Sequence, residues 1–346
     1  MRGGAVRRKA AWTVTALASL VLALALPAGC GEREEPREGV TPEQFTLALD
    51  WFPNPDHAGI YEALERGYFE QAGLEVEPQI PSDPAAPIKQ VAAGQVDLAI
   101  SYEPEVLLAR DEGLDVVAVG ALVREPLTSL VSLGKEGISG ARGLDGKRVA
   151  TAGIPYQGAF LRAMLEQAGL KQDDVQQVDV GLNLLSPLIA GKVDAVLGLF
   201  WNIEGVELKQ RGDDPTVVPV DELGIPTYDE LVLVASGERV SEDPEAIRLF
   251  LAALERGTRD AAEDPRGAAQ ALVAANDDLD PKLTQAQVDE TLPVLLPRDV
   301  DQPYGFMDPE RWSEFAGFMV DERLIDVLPS TDEVLTNGLL PGEIPE

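Results

Sequence analysis

The chain has almost no sulfur nucleophile and almost no imidazole: one cysteine, Cys30, and one histidine, His57, in 346 residues. An internal disulfide framework is therefore excluded, and a metal cage of His and Cys ligands with it. Basic residues are scarce against acids, 28 Lys+Arg to 60 Asp+Glu, a formal charge of -32. Nucleic acid, whose phosphates need Lys and Arg, is not an expected partner, and polyanionic ligands are disfavoured. Most of that charge reads as a solvated surface. Aromatics are 5% of the chain, so their placement carries information; the rest is ordinary, 45% hydrophobic and 25% charged. Such a length and composition fit two globular domains, or one domain in two lobes.

Arg2, Arg7, Arg8 and Lys9 precede an uncharged apolar run over residues 10–28. The run could just span a bilayer, and an uncleaved anchor is one reading. Small residues and a cysteine close it, Leu26-Pro27-Ala28-Gly29-Cys30, which resembles the lipobox of bacterial lipoproteins. Residues 1–29 are therefore expected to be a signal peptide and Cys30 a lipidated N-terminus. Residues 30–44 would then be a lipidated cysteine and a flexible tether, charged and poor in apolar side chains.

Beyond the tether the sequence repeats itself. Gln71-Ala72-Gly73-Leu74 returns as Gln167-Ala168-Gly169-Leu170, and the run around Gly94 resembles the run around Gly191, about a hundred residues on in each case. Each unit opens with a β-rich run (Thr46 to Leu49; Arg148 to Thr151), then a Pro- and Gly-containing loop, then a helical pattern. The first helix carries Ile60, Leu64 and Tyr68; the second carries Phe160, Leu161, Met164 and Leu165. Strands alternating with helices predict an α/β fold, its sheets mostly parallel and covered on both faces. Two further β-like runs, residues 127–133 and 230–236, read as the chain leaving the first unit and returning to it, a two-segment hinge. Lobe one is thus expected over 45–127 plus 236–346, and lobe two over 128–235. Asp243-Pro244 opens a helix that turns Ile247, Phe250, Leu251 and Leu254 to one face.

Four aromatics come directly after predicted strands: Trp51, Tyr102, Tyr156 and Trp201. Ligands of open α/β sheets bind beyond the carboxyl ends of strands. Two rings from each unit would sandwich a flat ligand, although any one of them could pack in the core instead. Asn54, Asn183 and Asn202 both donate and accept, which suits a heterocycle with ring nitrogens and amino groups. Glu204 could accept from an exocyclic amino group, or serve simply as an acid at a helix start. His57 is either a ligand contact or a hydrogen-bonding group of the loop. No residue is assigned a catalytic role, and no metal ligand or cofactor is expected.

Residues 49–69 (LDWFPNPDHAGIYEALERGYF), 81–110 and 191–204 (GKVDAVLGLFWNIE) resemble the NMT1/THI5-like family, in particular lipoprotein receptors of ABC importers for pyrimidine precursors of thiamine. The resemblance spans about residues 45–340. It implies a two-lobed periplasmic binding protein type II fold and capture of hydroxymethylpyrimidine or formylaminopyrimidine. It also implies delivery to an ABC permease from the extracytoplasmic face of a membrane; a monomer is expected. Riboflavin and other small solutes, sulfonates among them, are the alternatives. The family includes a fungal enzyme that makes the pyrimidine from its own histidine and pyridoxal phosphate. The resemblance places that enzyme's cofactor lysine at Phe52 and its iron-binding cysteines near residues 228–231. This chain has neither, so the fold and the binding role carry over and the catalysis does not.

Overall fold

The computed structural model describes residues 42–134, 137–297 and 302–342. The expected signal peptide, Cys30 and nearly all of the tether lie outside the described residues. Among the described residues no helix is long and apolar enough to cross a membrane.

The described strands are β1 (Glu43–Ala48), β2 (Leu74–Gln79), β3 (Leu98–Ser101), β4 (Val116–Val123), β5 (Thr128–Leu133), β6 (Arg148–Thr151), β7 (Gln176–Asp179), β8 (Ala195–Phe200), β9 (Pro215–Pro219) and β10 (Leu231–Ser236). They form two five-stranded sheets, ordered β2-β1-β3-β10-β4 and β7-β6-β8-β5-β9. In the first sheet β1 runs parallel to β2 and β3, and β10 runs antiparallel to both β3 and β4. In the second, β6 runs parallel to β7 and β8, and β5 runs antiparallel to β8 and β9. Each sheet therefore has one reversed strand in the same place, and that strand is where the chain arrives from the other lobe. The repeat in the sequence is a repeat of topology. The matched glycines agree: Gly73 and Gly169 have φ of 86° and 79°, and Gly94 and Gly191 have φ of 64° each. Left-handed backbone at these helix ends is what glycine supplies without a Cβ penalty.

One expected boundary moves. The sequence pattern puts residues 231–235 in lobe two, yet β10 completes the first sheet, with Val232 opposite Ser101 and Leu231 opposite Val123. The run Leu-Val-Leu-Val-Ala is apolar throughout because a strand between two others, covered on both faces, has no solvent side.

Two segments connect the lobes, residues 124–127 and the stretch that ends at Glu230. The Glu230 carboxylate ties them together. Its Oε2 accepts from the Leu127 and Thr128 N–H groups at 2.7 Å each and from the Tyr228 hydroxyl at 2.9 Å. Its Oε1 accepts from the Thr128 hydroxyl at 2.8 Å. Burial pushes this carboxyl up to about 7, while the bonds from Thr128 and Leu127 pull the other way.

After β10 the chain adds helices to lobe one. Four of them start alike: Asp243-Pro244, Asp264-Pro265, Asp280-Pro281 and Asp308-Pro309. In each, the aspartate side chain accepts a backbone N–H of the first turn, and proline takes the position whose own N–H would be unpaired. A cap of this kind contributes about 1 kcal/mol, so part of the acidic excess is helix-starting chemistry.

Candidate functional site

The loops that leave the carboxyl ends of β1, β3, β6 and β8 converge between the sheets. They enclose a cavity with about 40 Å³ open to the centre of a water molecule. Lobe one contributes Asp50, Trp51, Asn54 and Tyr102; lobe two contributes Tyr156, Gln157, Phe200 and Glu204, with Ile154, Leu184 and Ile203 as apolar wall. The rings of Tyr102 and Tyr156 meet across the cleft, centroids 5.1 Å apart and tilted by 44°.

Asp50 is buried and fixed on both oxygens. His57 Nε2 lies 2.8 Å from Oδ1, and the Tyr102 hydroxyl donates to Oδ2 at 3.0 Å. The Asn54 N–H donates to His57 Nδ1 at 3.3 Å, which places the imidazole proton on Nε2, pointing at Asp50. A short turn, Pro55–His57, makes this possible. Asn54 caps it by accepting from the Asp56 N–H at 2.8 Å, and Pro55 presets its first residue.

Glu204 faces the cavity from the other lobe. It is the first residue of the helix Glu204–Arg211, so it is both a helix-start acid and a cavity wall. Its carboxylate accepts from the Phe200 N–H at 2.9 Å. Burial pushes it up to about 7, against the pull of the Phe200 and Glu204 backbone N–H groups. Near neutral pH it can therefore either accept or donate.

Gly198 lies in this wall with φ of 120°, and a Cβ there would come within 2.4 Å of the Gln157 side chain. Gln157 is in turn held by the Ala152 N–H, which donates to Oε1 at 2.7 Å. A side chain at 198 would displace Gln157. No Lys or Arg is among the lining residues.

The sequence-predicted residues divide. Trp51, Asn54, Tyr102, Tyr156 and Glu204 line the cavity. The other four do not. His57 is fully buried behind Asp50. Asn183 is exposed. Trp201 packs half-buried on the core, and its indole N–H donates to the Pro126 carbonyl at 3.1 Å; Phe200 takes the place expected of it. The reason is strand alternation: consecutive side chains point opposite ways as β8 ends, so only one of the pair can face the cleft. Asn202 is fully buried and bonded to Asp56 and Thr291. Sequence reasoning missed Asp50, Gln157 and Phe200. Asp50 directly precedes Trp51 at the end of β1 and met the same positional rule.

A family model described as "NMT1/THI5 like" matches residues 54–268. The chain is 34% identical to a formylaminopyrimidine-binding protein of Halalkalibacterium halodurans, over 87% of this chain and 92% of that protein. It is 38% identical to a putative thiamine biosynthesis protein of Haemophilus influenzae, over 82% and 88%. A 4-amino-5-hydroxymethyl-2-methylpyrimidine phosphate synthase of Aspergillus parasiticus is 29% identical over 67% and 70%. Among solved structures, the alkanesulfonate-binding protein of Xanthomonas axonopodis bound to MOPS aligns with a TM-score of 0.67 at 17% identity, over 85% of this chain and 98% of that one. That likeness is one of fold, the two-lobed type II architecture.

Proposed function

The chain belongs to the NMT1/THI5-like family, and on that footing we propose that it is a receptor for a 4-aminopyrimidine precursor of thiamine. It is anchored through lipidated Cys30 outside the cytoplasm and passes its ligand to an ABC permease. The observation that carries this reading is the pairing of Asp50 and Glu204. Two carboxyl groups enter a small, ring-walled cavity from opposite lobes, with no basic residue beside them. Such a site repels anions, so a sulfonate, which wants an arginine or a helix N-terminus aimed at it, does not fit. A planar, neutral ligand rich in N–H donors does.

A 4-aminopyrimidine presents an amino donor beside a ring nitrogen acceptor. The Glu204 carboxyl matches both: it gives its proton to the ring nitrogen and, as a carboxylate, accepts from the ring N–H so formed and from the amino group, which a glutamine amide cannot do. Trp51, Tyr102, Tyr156 and Phe200 supply flat apolar contact, each stacked pair adding about 0.5–1.5 kcal/mol beyond burial. Charge-assisted hydrogen bonds add about 1.5–3 kcal/mol each. Two rings and two such bonds reach the roughly 5.5 kcal/mol needed to move a cleft from mostly open to mostly closed. The cavity suits one ring better than the three fused rings of riboflavin.

The role is binding, without turnover. Phe52, where the resemblance puts the lysine of the synthase, is 45% exposed and outside the cavity lining. Calorimetry with formylaminopyrimidine, hydroxymethylpyrimidine, riboflavin and taurine tests the reading. The expected outcome is tight binding of one or both pyrimidines. At a hundred times its Kd such a ligand adds about 2.7 kcal/mol of stability. Binding of riboflavin or taurine with no response to either pyrimidine overturns the proposal.

A further inference from the structure

Asn202 is fully buried, 0% exposed, and directly precedes Ile203 of the cavity wall without lining the cavity itself. Both hydrogens of its amide go to lobe one: Nδ2 donates to Asp56 Oδ1 at 2.7 Å and to the Thr291 hydroxyl at 2.8 Å. The next residue is held the same way, since Gln287 Nε2 donates to the Ile203 carbonyl at 3.0 Å. Thr291 and Gln287 sit on the helix Pro281–Leu295, which packs on the turn Pro55–His57 and on the helix Pro265–Ala275 of lobe one. Three bonds thus cross the cleft within two residues, and of the residues making them only Ile203 also borders the ligand space.

The set is only partly satisfied. Asp56 Oδ2 and Asn202 Oδ1 are buried without a hydrogen-bond partner. Burial pushes the Asp56 carboxyl well above its usual range, the Asn202 bond pulls it down, and the nearby carboxylates Asp50, Glu204 and Glu230 add to the rise. Opening the cleft would return both stranded oxygens to water. A half-paired network resists opening less than a fully paired one would, so it can fix the register of the lobes without locking them.

We propose that Asp56, Asn202, Thr291 and Gln287 form an interlobe clasp that sets the open–closed balance and delivers the Phe200–Glu204 wall to the ligand. Asp56 and Asn202 are positioning residues in it. The proposal rests on closure being part of the binding function, and not on which ligand is bound.

The test uses the chain with one spin label on each lobe, and reads interlobe distances without ligand and ligand dissociation rates with it. Asn202→Asp sets a second carboxyl against Asp56 and is expected to raise the open population about tenfold and to speed dissociation to match. Asp56→Asn keeps the acceptor for Asn202 without the charge and is expected to match the parent chain or close further. Asp56→Ala is expected to open. Thr291→Val, nearly isosteric, covers the case in which Asn202→Asp does not fold, and is expected to open about threefold. Parent-like distances in both Asn202→Asp and Thr291→Val overturn the clasp, as does identical behaviour of Asp56→Asn and Asp56→Ala. If no pyrimidine binds, the ligand-free distances still decide, so the two proposals fail separately.

Discussion

The two lobes repeat one plan and fill it in opposite ways. The loop after β1 in lobe one corresponds to the loop after β6 in lobe two, and the loop after β3 to the loop after β8. In lobe one the first of these loops brings a carboxylate, Asp50, and the second a tyrosine, Tyr102; in lobe two the first brings the tyrosine, Tyr156, and the second the carboxyl, Glu204. Acid and phenol have exchanged places, and the two tyrosines meet across the cleft. The two acids are also held differently. Asp50 has a partner on each oxygen, whereas Glu204 has the Phe200 N–H. One is a fixed wall and the other keeps bonding capacity for what lies between them. A duplicated scaffold thus supplies two similar mouths, and unequal fixation of the acids makes one of them the reader.

The contrast between the lobes is most exposed to test at Asp50. Asp50→Ala leaves the His57 Nε2–H and the Tyr102 hydroxyl without their acceptor, both in the interior. We expect affinity to fall about a hundredfold and stability by about 3 kcal/mol, read by calorimetry and denaturant unfolding. A loss of affinity with unchanged stability would mean that Asp50 is not the anchored partner.

Glu204→Gln separates binding from stability. We expect at least a tenfold loss of affinity, about 1.4 kcal/mol. Stability should move the other way. The folded-state pKa of Glu204 is raised from 4.5 to about 7. Its contribution to stability is therefore complete below 4.5 and is lost as pH climbs through about 7. Glutamine does not titrate. The stability of the variant relative to the parent should thus rise between pH 4.5 and 8, by about 2 kcal/mol once partial exposure of the side chain is allowed for. A flat difference across that range would place the carboxyl in an ordinary, hydrated setting.

The two tryptophans give the smallest contrast. Trp51→Ala should weaken ligand binding about tenfold, because its ring borders the cavity. Trp201→Phe removes the bond to Pro126 while keeping most of the packing, and should change affinity by about threefold or less. Equal losses would restore Trp201 to the site.

Why the sequence yields some of these residues and not others is a matter of period and direction. β6 and the helix from Pro244 are legible because local pattern decides them: a run of strand formers, and an Asp-Pro start followed by apolar residues at helical spacing. The positional rule for ligands at strand ends found Trp51, Tyr102 and Tyr156, since it needs only where strands stop, and the acid beside the second tryptophan, Glu204, was found by its chemistry. It could not choose between Phe200 and Trp201, or between Asp50 and His57. That choice depends on which way each side chain leaves the backbone and on what partner waits for it, which is tertiary information. Asn202 shows the limit clearly. Its partners Asp56 and Thr291 are 146 and 89 residues away in the chain, and no local signal joins them. The lobe boundary failed for the same reason, because an apolar run of five reads alike in either sheet.

The place of β10 has a consequence for how the chain acquires its shape. The first sheet lacks an interior strand, the one between β3 and β4, until residues 231–236 are present. Everything the second sheet needs lies in the uninterrupted stretch from β5 to β9. The later-made lobe is therefore able to consolidate first, and the earlier-made one waits with its middle open, its β3 and β4 edges unpaired until long-range closure. A chain built in this order keeps its first lobe incomplete until about two thirds of it has been delivered.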